Sequence, residues 1–293
     1  MKKLTFLFLL ATLAFSTAPV YSQQNATKTN VKPELRNAIT VTPEMLAPMR
    51  LAPGEYWFSA LINDPRSGEF KGGYLTYKFF ADNRGLQVIS ANNVITAKVY
   101  NMTAAKSISS NEETFSPAYG RIIRQHYEGD LAVMMSLSAP KSSVRVNKIA
   151  AFDWENKTIT INYGNDPKAP VRVKPLEENT TSGMAMLAFM LKAKWTDTSK
   201  IYRFHYFNIG QEQYEDVYIK CLGMRDKNTI KYQTVWHGYG EGGQLIFWVT
   251  LPKAGAPTGM FQKYIVDPMT SRYTTYQFTT KKEALKPVRP LID

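Results

Sequence analysis

The chain holds one cysteine, Cys221, and three histidines among its 293 residues. A single thiol cannot form an internal bridge, so the core has to hold by packing rather than by disulfides. Past the N-terminal segment no apolar run approaches the roughly 20 residues of a membrane-spanning helix. Several chemical signatures are missing too. There is no G-x-S-x-G elbow, no Walker A loop, no dinucleotide-binding glycine pattern between a strand and a helix, and no HxH or HExxH pair. These absences remove the recognisable hydrolase, nucleotide-binding and zinc-protease readings. Heptads, repeats and low-complexity tracts are lacking as well.

What is present begins with an export signal. Lys2 and Lys3 precede the apolar stretch Leu4 to Phe15, and Val20 and Ser22 stand at −3 and −1 of an expected cut before Gln23. Residues 1–22 therefore read as a cleavable signal peptide. No cysteine follows the cut, so a lipoprotein anchor is not expected, and the mature chain should be soluble with no transmembrane span. Removing that segment takes away two lysines and no acid, lowering the net charge from +12 to +10. A basic exported protein is drawn to anionic envelope surfaces. Its Lys and Arg residues are scattered, which argues against nucleic acid as a partner.

The rest of the chain divides by composition. Residues 23–49 read as a flexible polar leader ending in a short helical turn, with Thr42 as N-cap and Pro43 at its first position. Residues 50–280 read as one β-rich domain. Segments such as GEYWFSALI, GGYLTYKFF, RIIRQHYEG, VNKIAAFDW, KTITINYG, YEDVYIKCL and RYTTYQFTT carry aromatic and β-branched residues between Asn, Asp, Gly and Pro turns. DPRSGEFKGG and ADNRG read as hairpin connections. In KTITINYG, Ile159, Ile161 and Tyr163 face one way, and in YEDVYIKCL so do Val217, Ile219 and Cys221, which makes the thiol a buried, inert one. Residues 281–293 form a basic tail. The expected architecture is mainly β, a strongly curved antiparallel sheet, half-barrel or barrel-like, wrapped around one central α-helix.

That helix is expected at about 181–194, in TSGMAMLAFMLKAK, which opens on Thr and Ser and lacks proline. It is apolar nearly all round, as in a helix that is buried or lines an apolar cavity. Met186, Phe189 and Met190 are the candidate ligand-lining residues, because Met adapts to irregular apolar shapes. Trp154 and Trp248 are further candidates. QLIFWVTL, which contains Trp248, is apolar on both faces and so needs a cover on each.

Catalytic and metal-binding readings find little support. His126, His205 and His237 lie on three different strands, each near a tyrosine, and only tertiary convergence with a carboxylate would make them a site. Asp153, Glu155, Glu212, Glu215 and Asp216 are the acids from which a hydrolytic pair could be drawn. No catalytic residue, metal ligand or cofactor is assigned. WHGYGEGG (236–243) gathers a histidine and four glycines, yet a strand follows it where a phosphate loop needs a helix, so it reads as a hairpin at the sheet's rim.

The order of GEYWFSALI, ETFSPAYGRIIRQ, VNKIAAFDWENKTITI, SGMAMLAFMLKA and QLIFWVTL resembles domain of unknown function 3108, with Ser116-Pro117 and Phe152-Asp153-Trp154 as its most specific pieces. The resemblance covers most of residues 50–280 and implies a periplasmic, β-rich envelope protein of a Gram-negative bacterium. It brings no catalytic residues. The function expected is non-enzymatic binding of an apolar or lipid-like ligand or of an envelope partner. A cell-wall or polysaccharide-binding module using exposed aromatics is the first alternative, and an enzyme of unrecognised type the second.

Overall fold

A computed structural model describes residues 35–64, 68–95, 107–117, 120–132, 143–164, 166–210, 212–236, 245–250, 260–267 and 272–287. Two short elements come first, strand β1 (Ile39–Thr40) and helix α1 (Pro43–Leu46). Eight strands follow: β2 (Gly54–Asp64), β3 (Gly68–Ala81), β4 (Gln87–Ile95), β5 (Ser107–Phe115), β6 (Ile122–Ala132), β7 (Ser143–Asp153), β8 (Thr158–Tyr163) and β9 (Arg172–Pro175). The pair β10 (Thr180–Thr181) leads into helix α2 (Gly183–Ala193). Then come β11 (Ile201–Asn208), β12 (Gln213–Asp226), β13 (Thr229–Trp236), β14 (Leu245–Thr250), β15 (Met260–Asp267), β16 (Arg272–Thr279) and helix α3 (Lys281–Ala284).

All the strands belong to one sheet, in the order β1-β11-β12-β13-β14-β15-β16-β2-β3-β4-β5-β6-β7-β8-β9, with β10 also beside β11. From β11 round to β9 every pairing is antiparallel, and only β1 and β10 join in parallel. The β16–β2 pairing unites the late strands with the early ones, so the two halves of the chain form one sheet. The path is open. Among the described residues no backbone ladder joins β9 to β11.

Local chemistry accounts for the turns. Asp82 Oδ1 accepts from the amides of Arg84 and Leu86, both at 2.9 Å, and Gly85 supplies the positive φ that closes the β3–β4 hairpin. Asp153 likewise accepts from the amides of Glu155 and Asn156 at the β7–β8 turn, where Lys157 takes a positive φ. The β2–β3 connection is tighter than expected: GEFKGG is not loop but the start of β3, and only 65–67 lie between the strands. The ladder absorbs the extra residue in a bulge opposite Ala60 and Leu61. Gly72 sits there, and a Cβ on it would collide with the side chain of Ile62.

Burial follows the alternation seen in the sequence. Ile159 and Ile161 are fully buried, with Thr158 and Thr160 half-buried between them. Each such isoleucine stabilises the fold by roughly 1.5–3 kcal/mol through apolar area removed from water. Val217, Ile219 and Cys221 are buried on β12 as the period-2 pattern requires, with Tyr218 buried as well. β5, in contrast, is a strand that the pattern does not announce, since SISSNEETF is polar at nearly every position. Residues 35–49, assigned to the leader by composition, place Leu35, Val41 and Leu46 in the core, and Val41 N–H donates to Arg203 O at 2.9 Å.

Candidate functional site

Helix α2 supplies the apolar surface from which a ligand site was expected. Its N-cap is Ser182, whose Oγ accepts from Ala185 N at 3.1 Å, and Lys194 ends it in the left-handed region at φ 45°. Every residue from Gly183 to Met190 is buried, in the same cluster as Phe115, Tyr127, Phe152, Phe204 and Tyr232. Met186, Phe189 and Met190 thus all lie in the protein's interior. Phe189 packs edge-on against Tyr202 (5.0 Å) and Phe204 (5.4 Å) and tilted against Trp195 (5.3 Å). Trp195 packs in turn, tilted, against Tyr232, whose hydroxyl donates to Trp195 O at 2.9 Å.

A set of buried polar groups meets the N-terminus of this helix. Met184 N–H donates to Glu113 Oε2 at 3.1 Å, and Ser182 also bonds this carboxyl. Glu113 Oε1 accepts from Asn111 Nδ2 at 3.2 Å and from Gln125 Nε2 at 3.1 Å. Gln125 Nε2 reaches Asn111 Oδ1 at 3.3 Å as well, while Gln125 Oε1 has no partner among the described residues. The register explains why they meet: Glu113 pairs with Gln125 across β5 and β6, and Asn111 lies two residues along on the same face. Glu113 is fully buried, and burial pushes its carboxyl up to about 7 against the opposing pull of its hydrogen bonds.

Trp154 sits elsewhere. Half-buried just past β7, it donates from Nε1 to Ile122 O at 2.7 Å, and the Arg121 guanidinium lies 5.2 Å from its ring centre. Arg121 closes a loop of its own with Ser116 through Ser116 N to Arg121 O and Arg121 N to Ser116 Oγ. Ser116 and Trp154, far apart in the chain, are therefore both held to Arg121. Trp248 lies on β14, between β13 and β15, where its backbone pairs with Lys231 and Phe261. Its side chain falls outside the described residues, as do His237 and the rest of WHGYGEGG past Trp236.

The remaining histidines and acids are held separately. His126 Nε2 lies 3.0 Å from Asn147 Oδ1. His205 is held between Asp216 (Nδ1, 2.8 Å) and Glu177 (Nε2, 3.0 Å), with its ring stacked on Tyr214 at 4.7 Å. Among the described residues the two histidines share no hydrogen-bond partner. Asp216 also takes Arg203 Nη2 at 2.9 Å, and Glu215 accepts from Tyr206 and Asn208 at 2.7 Å each. Among the described residues no group of three or more His, Cys, Asp or Glu is placed to hold a metal ion.

Glu212 and Tyr214 bridge the break in the sheet with side chains in place of a backbone ladder. Glu212, just before β12, accepts from Lys148 of β7 (2.8 Å), Arg172 of β9 (2.9 Å) and the hydroxyl of Tyr163 on β8 (2.5 Å). Burial pushes the Glu212 carboxyl up, but the bonds from Lys148 and Tyr163 and the charges of Lys148 and Arg172 outweigh it and hold the group below its ordinary value. The same burial, with Glu212 beside it, pushes Tyr163 up to about 12. Tyr214 OH donates to Pro175 O at 3.0 Å and accepts from Glu177 N at 2.9 Å.

No family model matches the chain, and no curated protein matches it either. Among solved structures it is similar to a beta-barrel-like protein of domain of unknown function DUF1849 from Brucella abortus. The similarity spans 79% of this chain and 97% of that one, at 13% identity and a TM-score of 0.47. Among the described residues no helix is long and apolar enough to cross a membrane.

Glu113, Asn111 and Gln125 escaped sequence reasoning. In SISSNEETF polar residues occupy both faces, so nothing marks positions 111 and 113 as inward. Their meeting with α2, some 70 residues on, leaves no local signal. The reverse holds for α2, whose apolar run is legible by itself.

Proposed function

We propose that the protein is an exported, non-enzymatic component of the bacterial envelope, resident in the periplasm, that binds an apolar or lipid-like ligand beside helix α2. In this reading the sheet curves around α2, and Met186, Phe189 and Met190 line the binding surface. Trp154 and Trp248 are its outlying candidates. The kinship with domain of unknown function 3108 is part of the proposal and rests on the Ser116-Pro117 and Phe152-Asp153-Trp154 pieces. The observation that carries the reading is an apolar Met-and-Phe helix inside the protein whose N-terminus meets a few convergent polar groups, Glu113, Asn111 and Gln125. Small-molecule sites combine apolar walls with such groups. The test is native mass spectrometry of protein purified from the envelope. Co-purifying lipid, displaced by a hydrophobic fluorescent probe, is the expected result. Protein that is empty and binds no such probe would sink the proposal.

One observation favours a second reading, recognition of wall polysaccharide. Trp57 and Tyr74 pack 5.7 Å apart on the half-exposed face of β2 and β3, with Lys281 of α3 over the Trp57 ring. A salt-sensitive pull-down on purified wall polymers, abolished by Trp57→Ala, would favour this reading over the first.

A further inference from the structure

We propose that the tip of the β12–β13 hairpin docks the protein on a bilayer of anionic phospholipid, with Leu222 and Met224 entering the headgroup boundary between flanking cations. The tip departs from a plain hairpin. Gly223 takes a positive φ of 95°, and the ladder shifts register between Cys221 and Met224 and again between Met224 and Asp226. Irregularities of this kind re-aim side chains. The effect shows across the pairing: Ile230 is fully buried, whereas Met224 opposite it is 44% exposed. Leu222, on the other side of Gly223, is 40% exposed. Exposed apolar side chains are ordinary when they stand singly. Here two of them flank one glycine.

Their surroundings are basic. Arg225 and Lys227 are exposed on the tip itself. The segment that follows α2 runs alongside: a Cβ on Gly223 would lie 3.8 Å from Thr198 Cγ2, and Tyr232, opposite Cys221, donates to Trp195 O at 2.9 Å. Lys194, the C-cap of α2, and the exposed Lys200 bound that segment. The acids nearby have local tasks. Asp197 accepts from Ser199 N at 3.0 Å and pairs with Lys200 at 3.6 Å, and Asp226 accepts from Asn228 N at 2.8 Å within its own turn. Apolar side chains bordered by Lys and Arg make an interfacial membrane contact: the cations gain from the negative surface potential, and the apolar groups from leaving water. A soluble polyanion would engage the cations and leave Leu222 and Met224 in water, so the bilayer is the occupant that satisfies both. Docking here does not depend on a ligand beside α2, because neither Leu222 nor Met224 belongs to the core that packs on that helix.

The test is flotation of protein purified from the envelope with vesicles of phosphatidylcholine alone or of phosphatidylcholine mixed with phosphatidylglycerol. Each cation near an anionic surface is worth about fivefold in affinity, so binding to the mixed vesicles should be at least about tenfold tighter. Leu222→Ser combined with Met224→Ser should weaken binding to the mixed vesicles by about tenfold or more. Equal binding to the two kinds of vesicle, or binding to neither, would overturn the proposal. So would a double variant that binds as the native chain does, the result expected if the tip meets a soluble anionic polymer. Should the double variant not fold, hydrogen exchange of the native chain decides alone. Mixed vesicles should then protect the amides of residues 222–228, and a tip that exchanges as fast with vesicles as without them would overturn the docking.

Discussion

Glu212 is where burial and charge are most finely set against each other. Its side chain is 8% exposed and Lys148 beside it 11%, so each depends on the other for compensation. Lys148→Met would leave a desolvated carboxylate with Tyr163 and the more exposed Arg172. Removing one partner of a buried pair costs about 3–5 kcal/mol. The expected loss is about 3 kcal/mol in urea unfolding at pH 7, and a loss below about 1 kcal/mol would mean that water already solvates the group. The sign with pH follows from the depressed carboxyl. Glu212 contributes stability above its ordinary value, and that contribution is lost as pH falls through the lower folded one. This is opposite in sign to Glu113. Both acids stand in the sequence as unremarkable polar residues, and neither environment is local. Glu212 depends on three strands contributed by residues 143 to 175, and Glu113 on a helix 70 residues away.

At the scale of single elements, α2 is the best-specified part of the chain. TSGMAMLAFMLKAK carries its own start signal and an unbroken run of helix formers, and the observed helix, Gly183–Ala193, falls inside the expected bounds. Ser182→Ala removes the cap bond to Ala185 N, and with it the hydroxyl that serves Glu113. The expected cost is about 1 kcal/mol by thermal or urea unfolding. An unchanged midpoint would show that Glu113 alone satisfies the first turn. Strands with alternating β-branched residues, such as β8 and β12, are equally legible, because period-2 patterning reports a half-buried face. β5 is the counter-example. Its buried positions Ser109, Asn111 and Glu113 are polar, so the alternation that marks a strand is missing, and only pairing with β4 and β6 defines it.

For the whole molecule the decisive pairing is β16 with β2, which brings residues 273–279 against 57–63 and makes one sheet of two chain halves. The N-terminal segment belongs to the same core through Val41 and Leu46. Leu46→Ala should therefore cost about 2–5 kcal/mol, the range for emptying a packed leucine site. Urea unfolding checks this, and a change within about 0.5 kcal/mol would make α1 an appendage. The break between β9 and β11 is also a property of the whole. It is spanned by side chains at Glu212, Tyr214 and His205, not by a ladder.

The sequence by itself determined the class of the fold, because period-2 alternation, turn residues and one apolar helix are local patterns that short windows carry. It also determined that the core holds without disulfides, since one cysteine leaves no choice. Only the tertiary structure decided which strands are neighbours, where the sheet breaks, and that an enclosed acid meets the start of α2. Those outcomes arise from contacts between residues tens to hundreds of positions apart, and a buried carboxyl and a solvated one are the same letter until the chain has folded around them.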